Sequence, residues 1–389
     1  MGSRDRVGLV LSGGGARGAY EVGVLDYLAD QLPDLLRRIR VVTGTSVGAV
    51  NGAFLASHEL ELSAVKELVR LWSELSIDAM LKLDRPGVQA LLRAGALRLT
   101  GRGVTSPPVG LLSVEGIAKL VLDEVDWRRL SRAVQHGRLD AVGLAATDVA
   151  TGRTHLFVDH HDSLTPSWSR GEDSPIAVRT RLTPAHVLAS AAIPLIFPPV
   201  QVGDRWYMDG GLRNNTPVSP ALCLAADALL IVSVRAPVER HEVPLGSGWP
   251  GFGQVVGKVL DSVFLDRVSF DLDRLVKLND FVDAAAATGD EQAARAVLAA
   301  RGRKAYRHVP FAHVRPSRDL GAMASTHLAA VVGKRPLSIA RLLRALFQDD
   351  AGSTGDAASF LLFDGAYARA LIDVGRADAA ANHATLAKL

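Results

Sequence analysis

Apolar positions along the chain alternate between short runs and helical spacing. The run over 6–11 is apolar with β-branched members, and residues 19–32 then carry apolar side chains at helical spacing. A second run, IRVVTGTS, leads into VGAVNGAFLASHELE, again strand, tight turn and helix. Two such units within fifty residues predict a parallel α/β sheet. Residues 57–135 read as mostly helical, with a Gly-, Pro- and Arg-containing interruption around 84–110 that would cap or line a site. LDAVGLAATDVATGRTHLFVD predicts two strands joined by a turn at Thr151 and Gly152, and a polar loop fills 160–178. A helix over 184–192, strands near 200–208, the turn DGGLRNNTPVS, a helix over 217–226 and the buried strand DALLIVSV complete the sheet domain, which is expected to close near residue 235. Beyond it come a Gly- and Pro-rich stretch, helical patterns over 252–302, an extended HVPFAHVRPS and further helices. The alanine-rich stretch 284–300 reads as helix, and no internal repeat is present.

Composition removes several function classes. The chain has 389 residues, 48% hydrophobic and 22% charged, with a formal charge of +3 and no basic stretch interleaved with aromatics, so a nucleic-acid surface is not indicated. A single cysteine, Cys223, in an apolar helical pattern excludes a disulfide framework within the chain and reads as a buried thiol. The amino terminus runs straight into the first strand without a secretory pattern, and Arg6 stands where a myristoylation signal wants Ser or Thr. The most apolar later stretch, VLASAAIPLIFPPV, is broken by Pro194, Pro198 and Pro199, which argues against a membrane span. A cytoplasmic protein is expected, with any membrane contact peripheral.

The second turn carries the candidate chemistry. GTSVG, Gly44 to Gly48, fits a nucleophile elbow, a sharp strand-to-helix turn that presents Ser46 and wants glycine two residues away on each side. The plainer reading is a βα turn with a capping serine. An activated serine needs a base, usually a histidine held by a carboxylate. None of the eleven histidines follows a late strand in that manner; His186 reads as structural, and His160 and His161 as solvated. A carboxylate can serve instead if desolvation raises its basicity. Asp209, in RWYMDGGLRNNTP, stands at a strand end in a glycine turn, whereas Asp364, in FLLFDGAYARALI, falls in a helical pattern and reads as an exposed or capping carboxylate. Asp209 is the candidate base.

The first turn, LSGGGARGAY, spells G-x-G-x-x-G at Gly13, Gly15 and Gly18, a dinucleotide fingerprint by its letters. Such a fold wants an acidic residue at the end of the second strand to hold the ribose. Here that strand ends Val41, Val42, Thr43, Gly44 and runs into the elbow, so the acid is missing. Successive glycine N–H groups stabilise an alkoxide oxygen as well as a phosphate, and beside an elbow serine the economical reading is an oxyanion hole. Two readings compete with a serine hydrolase: an NADP-binding oxidoreductase with Arg37, Arg38 and Arg40 near the ribose phosphate, and a non-catalytic binding or scaffold protein that keeps the fold.

Together these motifs resemble the patatin-like phospholipase family: GGGARG at 13–18, GTSVG at 44–48 and DGG at 209–211, supported by ASAAIPLIFPPV and NNTPV. The resemblance covers about 7–235, and SFLLFDGAYARALIDVG looks like the carboxyl extension of bacterial members. It implies a three-layer α/β sandwich with a central mostly parallel sheet, a catalytic domain over 7–235 with a helical insert at about 57–135, and a mainly helical extension over 236–389. It further implies a Ser46–Asp209 dyad without histidine, an oxyanion hole from the amides of Gly13, Gly14 and Gly15, and support from Gly18, Gly44, Gly48, Gly210 and Gly211. Arg17 matches the basic position of the family loop, either fixing that loop or favouring an anionic headgroup. The implied substrate is a lipid or other fatty-acyl ester, hydrolysed through an acyl-serine or passed to an alcohol or thiol acceptor. No metal or organic cofactor is implied.

Overall fold

The first expected unit forms as strand β1 (Val7–Leu11), a 3-10 turn Gly15–Gly18 and helix Ala19–Gln31; the second as β2 (Ile39–Thr45) and helix Val47–Ser57. The structure is a computed structural model and describes residues 6–83, 110, 112–168, 174–236, 268–300, 306–334 and 355–389. The expected interruption at 84–109, the Gly- and Pro-rich stretch after 236 and the start of the helical pattern over 252–267 lie outside these residues. So does the amino-terminal MGS.

After a two-residue antiparallel pair, β3 (Lys82–Leu83) with β4 (Leu112–Ser113), the chain supplies β5 (Ala141–Asp148), β6 (Thr154–His160), β7 (Ile176–Arg179), β8 (Val200–Val202), β9 (Arg205–Asp209), β10 (Ala228–Val232) and β11 (Phe311–Val314). The main sheet runs β11-β10-β1-β2-β5-β6-β7. Its first five strands are mutually parallel, β5 and β6 are antiparallel, and β6 and β7 are parallel again. The hairpin β8–β9 joins it through β5. Period-2 alternation sends Val7, Leu9 and Leu11 to one face and Val10 to the other, and in β10 sends Leu230 and Val232 one way and Leu229 and Ile231 the other. Both faces are buried, as a mostly parallel sheet requires. The larger core holds helices Ala19–Gln31, Val47–Ser57, Leu62–Glu74 and Gly365–Ala381; the smaller holds helix Val218–Cys223 and Leu275 of helix Val268–Ala287. A three-layer α/β sandwich results.

Three expectations change. β7 begins inside the expected polar loop 160–178; three half-buried residues and an exposed arginine at a sheet edge carry too little alternation to be read from the chain. The sheet does not close at residue 235, because β11 pairs in parallel with β10 from Leu229↔Phe311 to Val232↔Val314. Residues 365–381 are likewise no appendage: their helix packs along Ala19–Gln31, and the buried Tyr20 hydroxyl donates to Asp378 Oδ2 at 3.0 Å. A division at 235/236 therefore cuts through the sheet and the core.

Candidate active site

Ser46 sits between β2 and helix Val47–Ser57 at φ 54°, ψ −123°, a conformation that L residues adopt only under local constraint. The constraint is the elbow. A Cβ on Gly44 would overlap the Gly48 carbonyl, and a Cβ on Gly48 would lie 2.5 Å from the Leu11 carbonyl oxygen, so neither flank of the turn accepts a side chain. Ser46 is 2% exposed. Its N–H donates to Ser190 Oγ at 2.9 Å, and that hydroxyl donates to the Ala145 carbonyl at 2.6 Å. Ser190 thus ties the elbow to β5; it was not singled out in the sequence, where it lies within ASAAIP as one small residue among several.

Strand register brings Asp209 to the serine. β2 pairs with β5 as far as Thr45↔Ala145, and β9 takes up the same edge of β5 from Ala146↔Asp209 onward, running antiparallel. The two strands therefore meet end to end along β5, with Ser46 leaving one and Asp209 closing the other. Asp209 is fully buried. Its N–H donates to the Ala192 carbonyl (2.8 Å), its carbonyl accepts from Thr147 Oγ1 (3.0 Å), and its Oδ1 accepts from Gly211 N–H (2.7 Å). Gly210, between them, packs on the Ala145 carbonyl. Oδ2 has no hydrogen-bond partner at ordinary geometry among the described residues. Burial pushes the carboxyl up to about 7, opposed by the nearby Ser46 hydroxyl and by the Gly211 N–H.

The glycine loop lies against the serine: a Cβ on Gly13 would be 3.1 Å from Ser46 Cβ. One expected donor is withdrawn. Gly13 N–H donates to the Asn215 carbonyl at 3.0 Å, and Asn215 Nδ2 donates back to the Gly13 carbonyl at 3.3 Å, so Gly13 anchors the loop instead of facing an oxyanion. The N–H groups of Gly14 and Gly15 have no acceptor among the described residues. Gly15 adopts φ 55°, and Gly18 packs on Val47, the first residue of the helix that follows Ser46. Arg17 is buried, which favours loop fixing over headgroup contact; its Nε donates to Ser359 Oγ at 2.8 Å and its guanidinium lies 4.1 Å over the Phe360 ring.

A second buried acid, Glu21, was missed because it reads as one charge in a helical pattern. It is held well above the ordinary carboxyl range by burial, and its Oε2 accepts from Asn51 Nδ2 at 2.9 Å. Asn51 Nδ2 also donates to the Gly18 carbonyl (3.2 Å), and its Oδ1 accepts from Trp72 Nε1 (3.0 Å). The network links the glycine turn, the helix that follows Ser46 and the pocket wall.

The remaining candidates lie elsewhere. His186 closes a capping box with Thr183, packs on Phe157 and is pushed down to about 4 by burial. Asp364 Oδ1 caps helix Gly365–Ala381 by accepting from Ala366 N–H at 3.0 Å, one residue before the helix starts. Arg37, Arg38 and Arg40 stand where the chain enters β2, at the opposite edge of the sheet from the glycine loop, and Arg40 donates to Asp140 Oδ1 at 2.7 Å. That placement removes the NADP reading. No group of His, Cys, Asp and Glu among the described residues is arranged to hold a metal ion, and no described helix is long and apolar enough to cross a membrane.

A cavity opens beside Ser46 and Gly15, walled by Val50, Trp72, Met80, Leu120, Phe197 and Phe363. Apart from Ser46, its walls are apolar. A second, mostly apolar cavity, lined by Phe54, Leu68 and Leu71 with Asn51 and Glu124, shares Val50, Trp72, Leu75 and Leu120 with the first.

Among proteins of known sequence, an uncharacterized NTE family protein of Mycobacterium tuberculosis is 28% identical over 234 residues, 60% of this chain and 50% of the relative. A probable lipid hydrolase of invertebrate iridescent virus 6 is 25% identical over 215 residues, 55% of this chain and 62% of the relative. The chain spans about half the length of the mycobacterial relative. Among solved structures, VipD from Legionella pneumophila matches with a TM-score of 0.35 at 14% identity, covering 92% of this chain and 67% of that one. Human GIVD cytosolic phospholipase A2 matches with a TM-score of 0.26 at 18% identity, over 41% of this chain and 23% of that one. Likenesses this distant add nothing to the strand order and register. The sequence pattern of the patatin-like phospholipases matches residues 9–222, more than half of the chain, and the protein belongs to that family.

Proposed function

We propose that the protein is a serine lipid acyl hydrolase, of phospholipase A, lysophospholipase or carboxylester lipase type, working through a Ser46–Asp209 dyad. The observation that carries this reading is the end-to-end meeting of β2 and β9 along β5, which sets a buried carboxylate with a free oxygen beside an elbow serine. Ser46 Oγ attacks the ester carbonyl carbon and its proton passes to Asp209 Oδ2. The N–H groups of Gly14 and Gly15 stabilise the tetrahedral oxyanion. Collapse of this intermediate expels the alcohol, which takes the proton back from Asp209, and leaves an acyl-serine. Water, deprotonated by Asp209, then attacks the acyl-serine carbonyl, and collapse of the second tetrahedral intermediate breaks the bond to Ser46 Oγ, which takes the proton back from Asp209 as the fatty acid leaves. The apolar cavity beside Ser46 suits the acyl chain.

Turnover on a panel of phospholipids, lysophospholipids and simple esters tests the reading. Wild type and Asp364→Asn should hydrolyse, since asparagine caps a helix about as well as aspartate. Ser46→Ala and Asp209→Asn should not, and activity surviving in Asp209→Asn overturns the dyad. Acyl transfer on the same dyad is favoured by the 2% exposure of Ser46, which keeps bulk water away; ester product formed from an added alcohol would identify it.

A further inference from the structure

The oxyanion loop is held from outside the region that the family pattern matches. Residues 358–363 run across the glycine turn: Ser359 Oγ accepts from Arg17 Nε (2.8 Å), the Phe360 ring stacks on the Arg17 guanidinium (4.1 Å), and the Phe360 carbonyl presses on Gly15 so closely that a Cβ there would overlap it. Three residues on, Phe363 enters the wall of the Ser46 cavity. The segment is anchored immediately downstream. Gly365 N–H donates to the Leu75 carbonyl (2.8 Å), Arg369 Nη1 to the Ser73 carbonyl (2.7 Å), and Asp364 caps the helix that packs along Ala19–Gln31.

Gly14 and Gly15 can act on an oxyanion only if their N–H groups are fixed before charge develops, because donors that must reorganise lose much of their effect. Gly15 is the residue whose left-handed backbone turns the loop, and glycine is intrinsically the least constrained residue. Within the turn, the Arg17 N–H donates to the Gly14 carbonyl at 3.1 Å. The Arg17 side chain therefore carries the hold of the far segment straight into the donor pair.

We propose that Ser359 and Phe360 are positioning residues for the reaction: through Arg17 and the Gly15 backbone they hold the oxyanion donors in place. This inference rests on the hydrolase reading above. It is tested in the full chain with Ser359→Ala and Phe360→Leu, measured two ways. Amide hydrogen exchange over 13–18 should speed up in both variants, and kcat on a short-chain p-nitrophenyl ester should fall on the order of ten-fold, the worth of a hydrogen bond to a charged group, with KM held within about two-fold. Unchanged exchange over 13–18 overturns the strap. Faster exchange with kcat intact, or a rise in KM alone, overturns its link to the oxyanion. Absence of turnover in the wild type counts against the hydrolase reading, and the exchange measurement still decides the strap.

Discussion

Replacing Asp209 by asparagine removes an ionisable group from a site with no access to solvent while keeping its shape and its acceptor for the Gly211 N–H. Burial pushes the native carboxyl up to about 7 from an ordinary 3.8. Because the folded value is the higher one, the stability that this group contributes is fully present below the unfolded value and is lost as pH rises toward the folded one. The difference corresponds to roughly 4 kcal/mol once Asp209 is ionised. The Asp209→Asn variant should therefore gain on wild type in urea-unfolding free energy as the buffer moves from about pH 4 to about pH 8, by up to roughly that amount. Glu21 shifts in the same direction but is present in both proteins, so it cancels in the difference. The same carboxyl must be ionised to take the Ser46 proton, so wild-type kcat/KM should rise as pH passes through about 7. A stability gap that does not change with pH refutes the desolvated-base argument; a gap of the right sign with turnover retained refutes the catalytic assignment alone.

Other parts of the site give separate outcomes. Trp72 is the largest of the four residues shared by the walls of the two cavities, so Trp72→Leu should move the preferred acyl chain toward greater length in a chain-length series, and an unchanged optimum would show that the second cavity is not reached. Leu195 is 76% exposed at φ 68°, between the cavity residues Ile193 and Phe197, so Leu195→Asp should weaken sedimentation with phospholipid vesicles while hydrolysis of a soluble short ester is kept; equal vesicle binding refutes a lipid-facing role. Glu21→Gln should leave turnover intact and raise thermal stability at neutral and alkaline pH, since burial holds Glu21 well above the ordinary carboxyl range and its ionisation opposes folding; lower stability there would indicate that Glu21 is charged in the native state.

The parts of the proposed dyad were legible because both are local signals: GTSVG needs its glycines within five residues, and Asp209 closes a strand in a glycine turn. Their meeting is not local. It depends on β5 outrunning β2 by the residues that β9 occupies, a register that no segment carries alone. The donor role expected of Gly13 failed for the same reason, since its N–H is taken by Asn215, two hundred residues away in sequence. β11 and the 358–363 segment were read as an extension because FAHV is short and SFLLFDG reads as part of a helix; what gives them meaning is the edge of β10 and the back of Arg17. Asp364 was readable as a cap because the motif that makes it one is contiguous.

In the proposed dyad the place of a histidine is taken by the buried Asp209. In a triad, histidine supplies a base that titrates near neutrality, and the carboxylate orients it. In the proposed dyad burial pushes the Asp209 carboxyl up to about 7, close to the ordinary value of a histidine, so that one residue would cover both tasks. That solution requires dryness. Thr147, Ala192 and Gly211 hold the Asp209 backbone and Oδ1, and Oδ2 is left without a hydrogen-bond partner among the described residues. The enclosure on which the basicity depends also makes the ionised site unfavourable to fold. A Ser–Asp dyad in this sheet is thus bound to the large two-faced core around it, which must supply the several kcal/mol that the ionised carboxylate opposes.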